Sequence, residues 1–259
     1  MILIDQLGTS HTFEKVPSRI VSMVPSHTET LFDLGLEDTI IGITKFCVHP
    51  AHFKKQKTIV GGTKNAKYDK IIALKPDIIF CNKEENTIEM VQELQKICTV
   101  WVTDIVTLDD NKNLINAFGK IFEKQKMAAQ FVTKIDTKIN LLTIDAKSQK
   151  KIAYCIWKNP WMVAGGNTYL DTMLQINNFK NVFDNQSRYP ETNLNQIRAL
   201  KLDYFLLSSE PYPFKEKDVL EIQKSLPNTK CKIIDGEMFS WHGTRLVKAL
   251  DYFELLRFK

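Results

Sequence analysis

The stretch from Asp109 to about Leu142 constrains this chain more than any other. Apolar residues recur at Leu114, Phe118, Ile121, Phe122, Ala128, Val132, Ile135, Ile139 and Leu142, at the spacing of one helical face. Asp109, Asp110 and Asn111 supply N-cap oxygens and acids suited to the positive end of a helix dipole. Lys147, Lys150 and Lys151 suit the carboxyl end. No proline interrupts the run, and Gly119 is its one glycine. At 1.5 Å per residue, a single helix here would be roughly 50 Å long, more than a small domain is wide. A rod of that length is a coiled-coil segment, a long surface helix, or a bridge between two bodies.

The flanks favour the bridge. Before it, strand-like and helix-like runs alternate. Arg19-Ile-Val-Ser-Met-Val24 reads as a strand buried on both faces, stopped by Pro25, with Ser26 or Thr28 capping a helix that ends at Gly35. Thr39 to Thr44, Ile78 to Cys81 and Val100 to Val102 are further strands, and Asp69 and Thr87 open helices. After the bridge the pattern restarts with the strand from Lys151 to Trp157. Asn167 or Thr168 then opens a helix, and strands follow at Tyr204 to Leu207 and Cys231 to Ile234. Such alternation predicts α/β structure, with a largely parallel sheet covered by helices in each half.

The halves also match residue by residue. Ile71, Ala73, Leu74, Lys75 and Asp77 recur as Ile197, Ala199, Leu200, Lys201 and Asp203, and Glu84 recurs as Glu210 in the same register. A repeat of this length is a whole lobe. The expected division is an N-terminal lobe over 1–107, a bridging helix over 108–146 and a C-terminal lobe over 147–259.

Composition narrows the function. Over 259 residues, 44% hydrophobic and 25% charged content is that of a globular protein able to bury a core. The net charge of +5 is scattered, and no nucleic-acid motif accompanies it, so no nucleic acid is expected. Cys47, Cys81, Cys98, Cys155 and Cys231 show no CxxC spacing and read as buried free thiols. The first twenty residues lack the pattern of a signal peptide, and no run is apolar enough to span a membrane. On that reading the protein is cytoplasmic if Met1 is its native start, or else it has lost a leader.

In open parallel sheets, ligands bind beyond the carboxyl ends of the strands, and paired lobes bring two such ends to one cleft. The loops expected there carry Ser26, His27, Phe46 and Gly62 in the first half. In the second they carry Trp161, Gly166, Glu210, Tyr212, Phe214, Trp241, His242 and Arg245. The aromatic loops suit a large, rigid, partly apolar ligand, with Arg245 and Glu210 fixing its orientation. Trp157 and Phe239 fit core and cleft equally. His27, His49, His52 and His242, with Glu84 or Glu210, could ligate a metal, but none has HxxxH, HExxH or CxxC spacing, and no resident metal is expected. Without a GxSxG elbow or a nucleophile beside a base, no catalysis is expected. Glu210 with His242 is the one pair that an enzyme reading could use.

Pro17-Ser-Arg-Ile-Val-Ser-Met-Val-Pro-Ser-His-Thr-Glu29, Ile71-Ile-Ala-Leu-Lys-Pro-Asp77 and the long middle segment resemble the helical-backbone substrate-binding proteins. These are the cobalamin- and iron-siderophore-binding components of ABC importers, and the likeness is nearer the cobalamin branch. It runs over about residues 2–258. It implies a monomeric, non-catalytic periplasmic receptor without a cofactor of its own, which holds cobalamin or a ferric chelate between its lobes. It also implies an ABC permease as partner, docked through a carboxylate on each lobe. The matching positions are Asp69 and Asn195, and at Asn195 the carboxylate is missing. With that departure, the alternative is a cytoplasmic sensor, carrier or enzyme for a corrinoid or metal chelate on the same fold.

Overall fold

A computed structural model describes residues 1–142 and 149–256. The chain forms two compact units. One comprises Met1–Asp136 with His242–Val247, and the other comprises Thr137–Trp241 with the residues from Lys248 onward.

The first unit is built on a five-stranded sheet in the order Thr58–Ile59, Ile40–Ile43, Ile20–Ser22, Ile78–Asn82, Thr99–Thr103. Every neighbouring pair in it is parallel. Ile20–Ser22 and Ile78–Asn82 are buried at every position, as their unbroken apolar sequences require of strands covered on both faces. Val21, Ile79, Cys81, Val100 and Val102 pack with Ile71, Met90 and Leu94 from helices on one face. Phe80 meets Phe118 and Phe122 on the other, with ring centroids 4.4 and 5.9 Å apart. The strand order reverses beside Ile20–Ser22, so the ligand crevice of such a sheet falls at the carboxyl ends of Ile20–Ser22 and Ile78–Asn82. At the amino terminus, Ile2–Ile4 and Ser10–Thr12 pair as an antiparallel hairpin.

In the second unit, Lys150–Trp157, Tyr204–Ser208 and Lys230–Ile234 run parallel, and Phe179–Asn181 joins Lys150–Trp157 in the same sense. The sheet turns antiparallel at one edge, where Trp161–Val163 and Glu191–Thr192 are added.

The internal repeat reaches the hydrogen bonds. Lys75 and Lys201 each close a helix in the left-handed region, with φ of 47° and 50°. Asp77 N donates to Arg19 O at 2.8 Å, and Asp203 N donates to Lys151 O at 2.9 Å. Both aspartates accept a backbone N–H from the opening strand of their own unit: Arg19 N to Asp77 Oδ2 at 3.0 Å, and Lys151 N to Asp203 Oδ2 at 2.7 Å.

The middle segment corrects the expectation of one unbroken rod. Two helices occupy it, Leu108–Ile121 and Gln125–Leu141. Glu123, with φ of 54°, takes the left-handed position between them. Lys124 N reaches back to Gly119 O at 2.7 Å and Glu123 N to Lys120 O at 3.5 Å, the two bonds of a Schellman ending. That ending usually carries glycine, and glutamate hides it from a sequence reading. The cap is also displaced from the expected residues: Thr107, not Asp109, Asp110 or Asn111, is the N-cap, in a capping box with Asp110. The first helix buries Leu114, Ile115, Phe118 and Ile121 in the first unit, and Gln125–Leu141 carries the chain into the second. Lys147 lies outside the described residues, and Lys150 opens a strand rather than closing a helix. Nor does Pro25 separate strand from cap. It is itself the first residue of the helix Pro25–Asp33, whose N-cap is Val24, and Ser26 and Thr28 are buried within that helix.

Candidate functional site

At the carboxyl end of Ile40–Ile43 in the first unit, Phe46 stands 50% exposed, with Lys45 Nζ 4.9 Å from its ring centroid. Gly62 lies against it. A Cβ there would come within 3.2 Å of Phe46 Cε2 and 3.5 Å of Lys45 Cε. Of the first-half candidates, Phe46 and Gly62 therefore come together. At the end of Ile78–Asn82, Asn82 Oδ1 accepts from Glu84 N at 2.9 Å, and Asn86 Nδ2 donates to Thr63 O at 2.6 Å. These bonds brace the loop after Ile78–Asn82 and tie it to the loop at Thr63. Burial raises the Glu85 carboxyl above its ordinary range, against the opposing pull of Lys64 and Thr63.

Ser26, His27, His242 and Arg245 take a different place. All four are buried in the first unit. Ser26 Oγ lies 3.1 Å from His242 Nδ1, and Arg245 Nε donates to Glu29 Oε2 at 2.6 Å. His27 Nε2 meets Thr103 Oγ1 at 3.1 Å, and its Nδ1 is buried without a hydrogen-bond partner among the described residues. The rings of His27 and His242 are 5.0 Å apart. Burial, with His242 alongside, holds the His27 pKa well below its usual value, and burial takes His242 down to about 3. Both rings are neutral at neutral pH.

In the second unit the strand ends carry aromatic rings. Trp161 and Phe214 stack with planes 9° apart and centroids 6.2 Å apart. Phe214 meets Tyr212 at 4.6 Å, and Tyr212 meets Trp157 edge-on at 5.6 Å. Phe214 is buried beneath the group, Trp161 and Tyr212 are half-buried, and Trp157 is 40% exposed. A bulge between Cys155 and Trp157 accounts for that exposure, since an extra residue in one strand re-aims the side chain beside it. Trp157 is thus the aromatic that the sequence left undecided, while Phe239 is fully buried core. Lys158 sits beside Trp161 with Nζ 5.8 Å from its ring. It is held by Glu221 at 2.8 Å and Asp218 at 2.9 Å, and those hydrogen bonds raise its pKa.

Glu210 and Trp241 are joined directly: the indole Nε1 donates to Glu210 Oε1 at 2.8 Å, and Ser240 Oγ donates to the same oxygen at 2.9 Å. Trp241 retains 8% of its surface. Glu210 thus accepts from Trp241 and Ser240 within the second unit, and His242 meets Ser26 within the first. The backbone of Gly166 is taken by its own unit. Its N–H donates to Gln186 O at 2.7 Å, and a Cβ would meet Asp184 O at 2.0 Å. Asp69 and Asn195 are exposed in the first turns of the matching helices Tyr68–Leu74 and Leu194–Ala199. His52 Nε2 lies 2.7 Å from Glu37 Oε1. Among the described residues, no three His, Cys, Asp or Glu side chains gather as a metal site would require. No helix among them is long and apolar enough to cross a membrane.

The chain thus forms two α/β units, each built on a mainly parallel sheet. The sequence pattern of the periplasmic binding protein family matches residues 20–226, and the chain belongs to that family of non-catalytic solute-binding proteins. An uncharacterized ABC transporter substrate-binding lipoprotein, YvrC of Bacillus subtilis, is 23% identical over 252 residues, covering 93% of this chain and 80% of that protein. The vitamin B12-binding protein of Salmonella typhimurium is 25% identical over 240 residues, covering 89% and 86%. Among solved structures, a possible iron-binding periplasmic solute-binding protein from Staphylococcus epidermidis superposes with a TM-score of 0.78 at 22% identity, covering 94% of this chain and 100% of that one. These relatives give the fold and the solute-binding class, and they do not favour a cytoplasmic handling protein.

Proposed function

We propose that this chain is the substrate-binding component of an ABC importer, working outside the cytoplasmic membrane, and that its cargo is a corrinoid or a ferric chelate. The observation that carries the reading is the aromatic group Trp157, Tyr212, Phe214 and Trp161 at the strand ends of the second unit, faced with half-exposed rings and backed by a buried one. Rings of this kind suit a flat, partly apolar ligand far better than a small ion. Phe46 with Lys45 gives the first unit a second exposed ring. The names of the relatives support the same cargo classes, one a vitamin B12 binder and one a possible iron binder. The protein acts as a monomer without a cofactor of its own, and a permease meets it at the exposed helix turns that carry Asp69 and Asn195.

The test is titration of the full chain with cyanocobalamin and with hydroxamate and catecholate ferric chelates, read by tryptophan fluorescence. One of them is expected to quench saturably and to co-elute with the protein. If none does, and protein purified from its native host shows neither a corrin band nor a ferric charge-transfer band, the reading fails.

A further inference from the structure

His242–Val247 belongs to the first unit, although Trp241 and Lys248 on either side of it belong to the second. Its grip on the first unit is detailed. Ser26 Oγ meets His242 Nδ1 at 3.1 Å. Asn111 takes both backbone groups of Gly243, accepting its N–H and donating Nδ2–H to its carbonyl at 3.2 Å. Thr244 N donates to Thr30 Oγ1 at 3.1 Å, and Thr244 Oγ1 donates to Asp33 Oδ2 at 2.6 Å. Arg245 closes the series on Glu29. The approach is so close that a Cβ on Gly243, where φ is +80°, would fall 1.9 Å from Thr30 Oγ1. Ser26, Glu29, Thr30 and Asp33 all lie on one helix, Pro25–Asp33.

That helix has a second set of bonds. Thr28 Oγ1 lies 3.1 Å from Cys47 Sγ, Thr44 Oγ1 lies 3.3 Å from the same sulfur, and Phe46 N donates to Thr44 Oγ1 at 3.3 Å. The loop that presents Phe46 is thus tied to the helix that His242–Val247 holds.

We infer that His242–Val247 is a clasp that sets the pose of Phe46 through the helix Pro25–Asp33. His242, Thr244 and Arg245 are then positioning residues, not cargo contacts. The inference rests on the proposed cargo reading only for its binding readout.

The experiment uses the full chain as wild type, Thr244→Val, Phe46→Leu and the double variant, with Thr244→Ser as the conservative control. Hydrogen exchange needs no cargo. In Thr244→Val the amides of both 25–33 and 44–47 are expected to exchange faster, and Thr244→Ser is expected to restore them. Cargo dissociation, measured with whichever of cyanocobalamin or the ferric chelates binds, is expected to quicken about threefold to tenfold in each single variant, the worth of one hydrogen bond or contact. The double variant is expected to be no faster than Phe46→Leu alone, because the threonine acts through the ring. Unchanged exchange at 44–47, or additive dissociation rates, overturns the clasp. A wild type that binds no cargo overturns the proposed function instead, and the exchange data still decide the clasp.

Discussion

Arg245 donates Nε–H to Glu29 Oε2 at 2.6 Å, and the two side chains keep only 4% and 3% of their surface. A pair buried this deeply is sensitive to the loss of one partner, because the other charge is left in a poor solvent. Arg245→Ala is expected to cost about 3–5 kcal/mol in chemical denaturation. Arg245→Met with Glu29→Leu is expected to recover most of that loss, since a well-packed apolar pair replaces a buried ion pair at little net cost. A double variant no better than the single one would mean that the charges carry more than packing.

The neighbouring histidines make a separate prediction about acid. His27 is buried against Phe118 and beside the His242 ring, with the Glu29–Arg245 and Asp33–Thr244 bonds made by the same two segments, and the folded pKa values of both histidines lie below the unfolded value of 6.5, that of His242 at about 3. Between those limits the unfolded chain binds more protons than the folded one, so stability rises with pH. The stabilisation is complete above 6.5 and is lost as pH falls below it. Each histidine contributes a slope of up to about 1.4 kcal/mol per pH unit. Urea denaturation between pH 4 and 7 checks this: His242→Asn is expected to flatten the profile, and an unchanged slope would sink the assignment.

The tryptophans divide by exposure. Trp157→Ala and Trp161→Ala are expected to weaken cargo about threefold to tenfold each with little change in stability, the worth of an aromatic contact. Trp241 is mostly buried, and its indole is a donor to Glu210. Trp241→Ala is therefore expected to lower stability by about 3–5 kcal/mol, as truncation of a buried tryptophan does. Equal affinity in all three variants would remove the aromatic face from the binding reading.

Much of the fold was legible because its signals are local. The helix–turn–strand around Asp77 and Asp203 could be read twice from nearly the same residues, and the backbone bonds agree. The buried strands announced themselves as apolar runs. Site residues were legible as loop positions but not as environments. Arg245 finds Glu29 across 216 positions, and nothing in either neighbourhood says that the pair is internal. Trp157 owes its exposure to a bulge, which depends on the register of a partner strand and leaves no mark in the sequence.

The break in the middle helix gives the sharpest contrast between sequence and structure, at Gly119. In an uninterrupted helix, replacing an interior glycine with alanine stabilises by up to about 1 kcal/mol, because the unfolded chain loses freedom and the helix gains propensity. Here the carbonyl of Gly119 accepts from Lys124 N to close the turn, and a Cβ on Gly119 would lie 2.5 Å from Ala128 Cβ in the second helix. Neither group is the end of a flexible side chain, so the two helices must part. Gly119→Ala is accordingly expected to destabilise by about 1–3 kcal/mol, the usual cost of overpacking. Gly119→Ala with Ala128→Gly, which restores the space from the other side, is expected to return much of it. Glu123→Gly should move stability the other way, by about 0.5–1 kcal/mol, because glycine takes the left-handed position at no steric cost. Chemical denaturation of the three variants decides the matter: a stabilising Gly119→Ala would mean that the middle segment is the single rod its apolar spacing suggests.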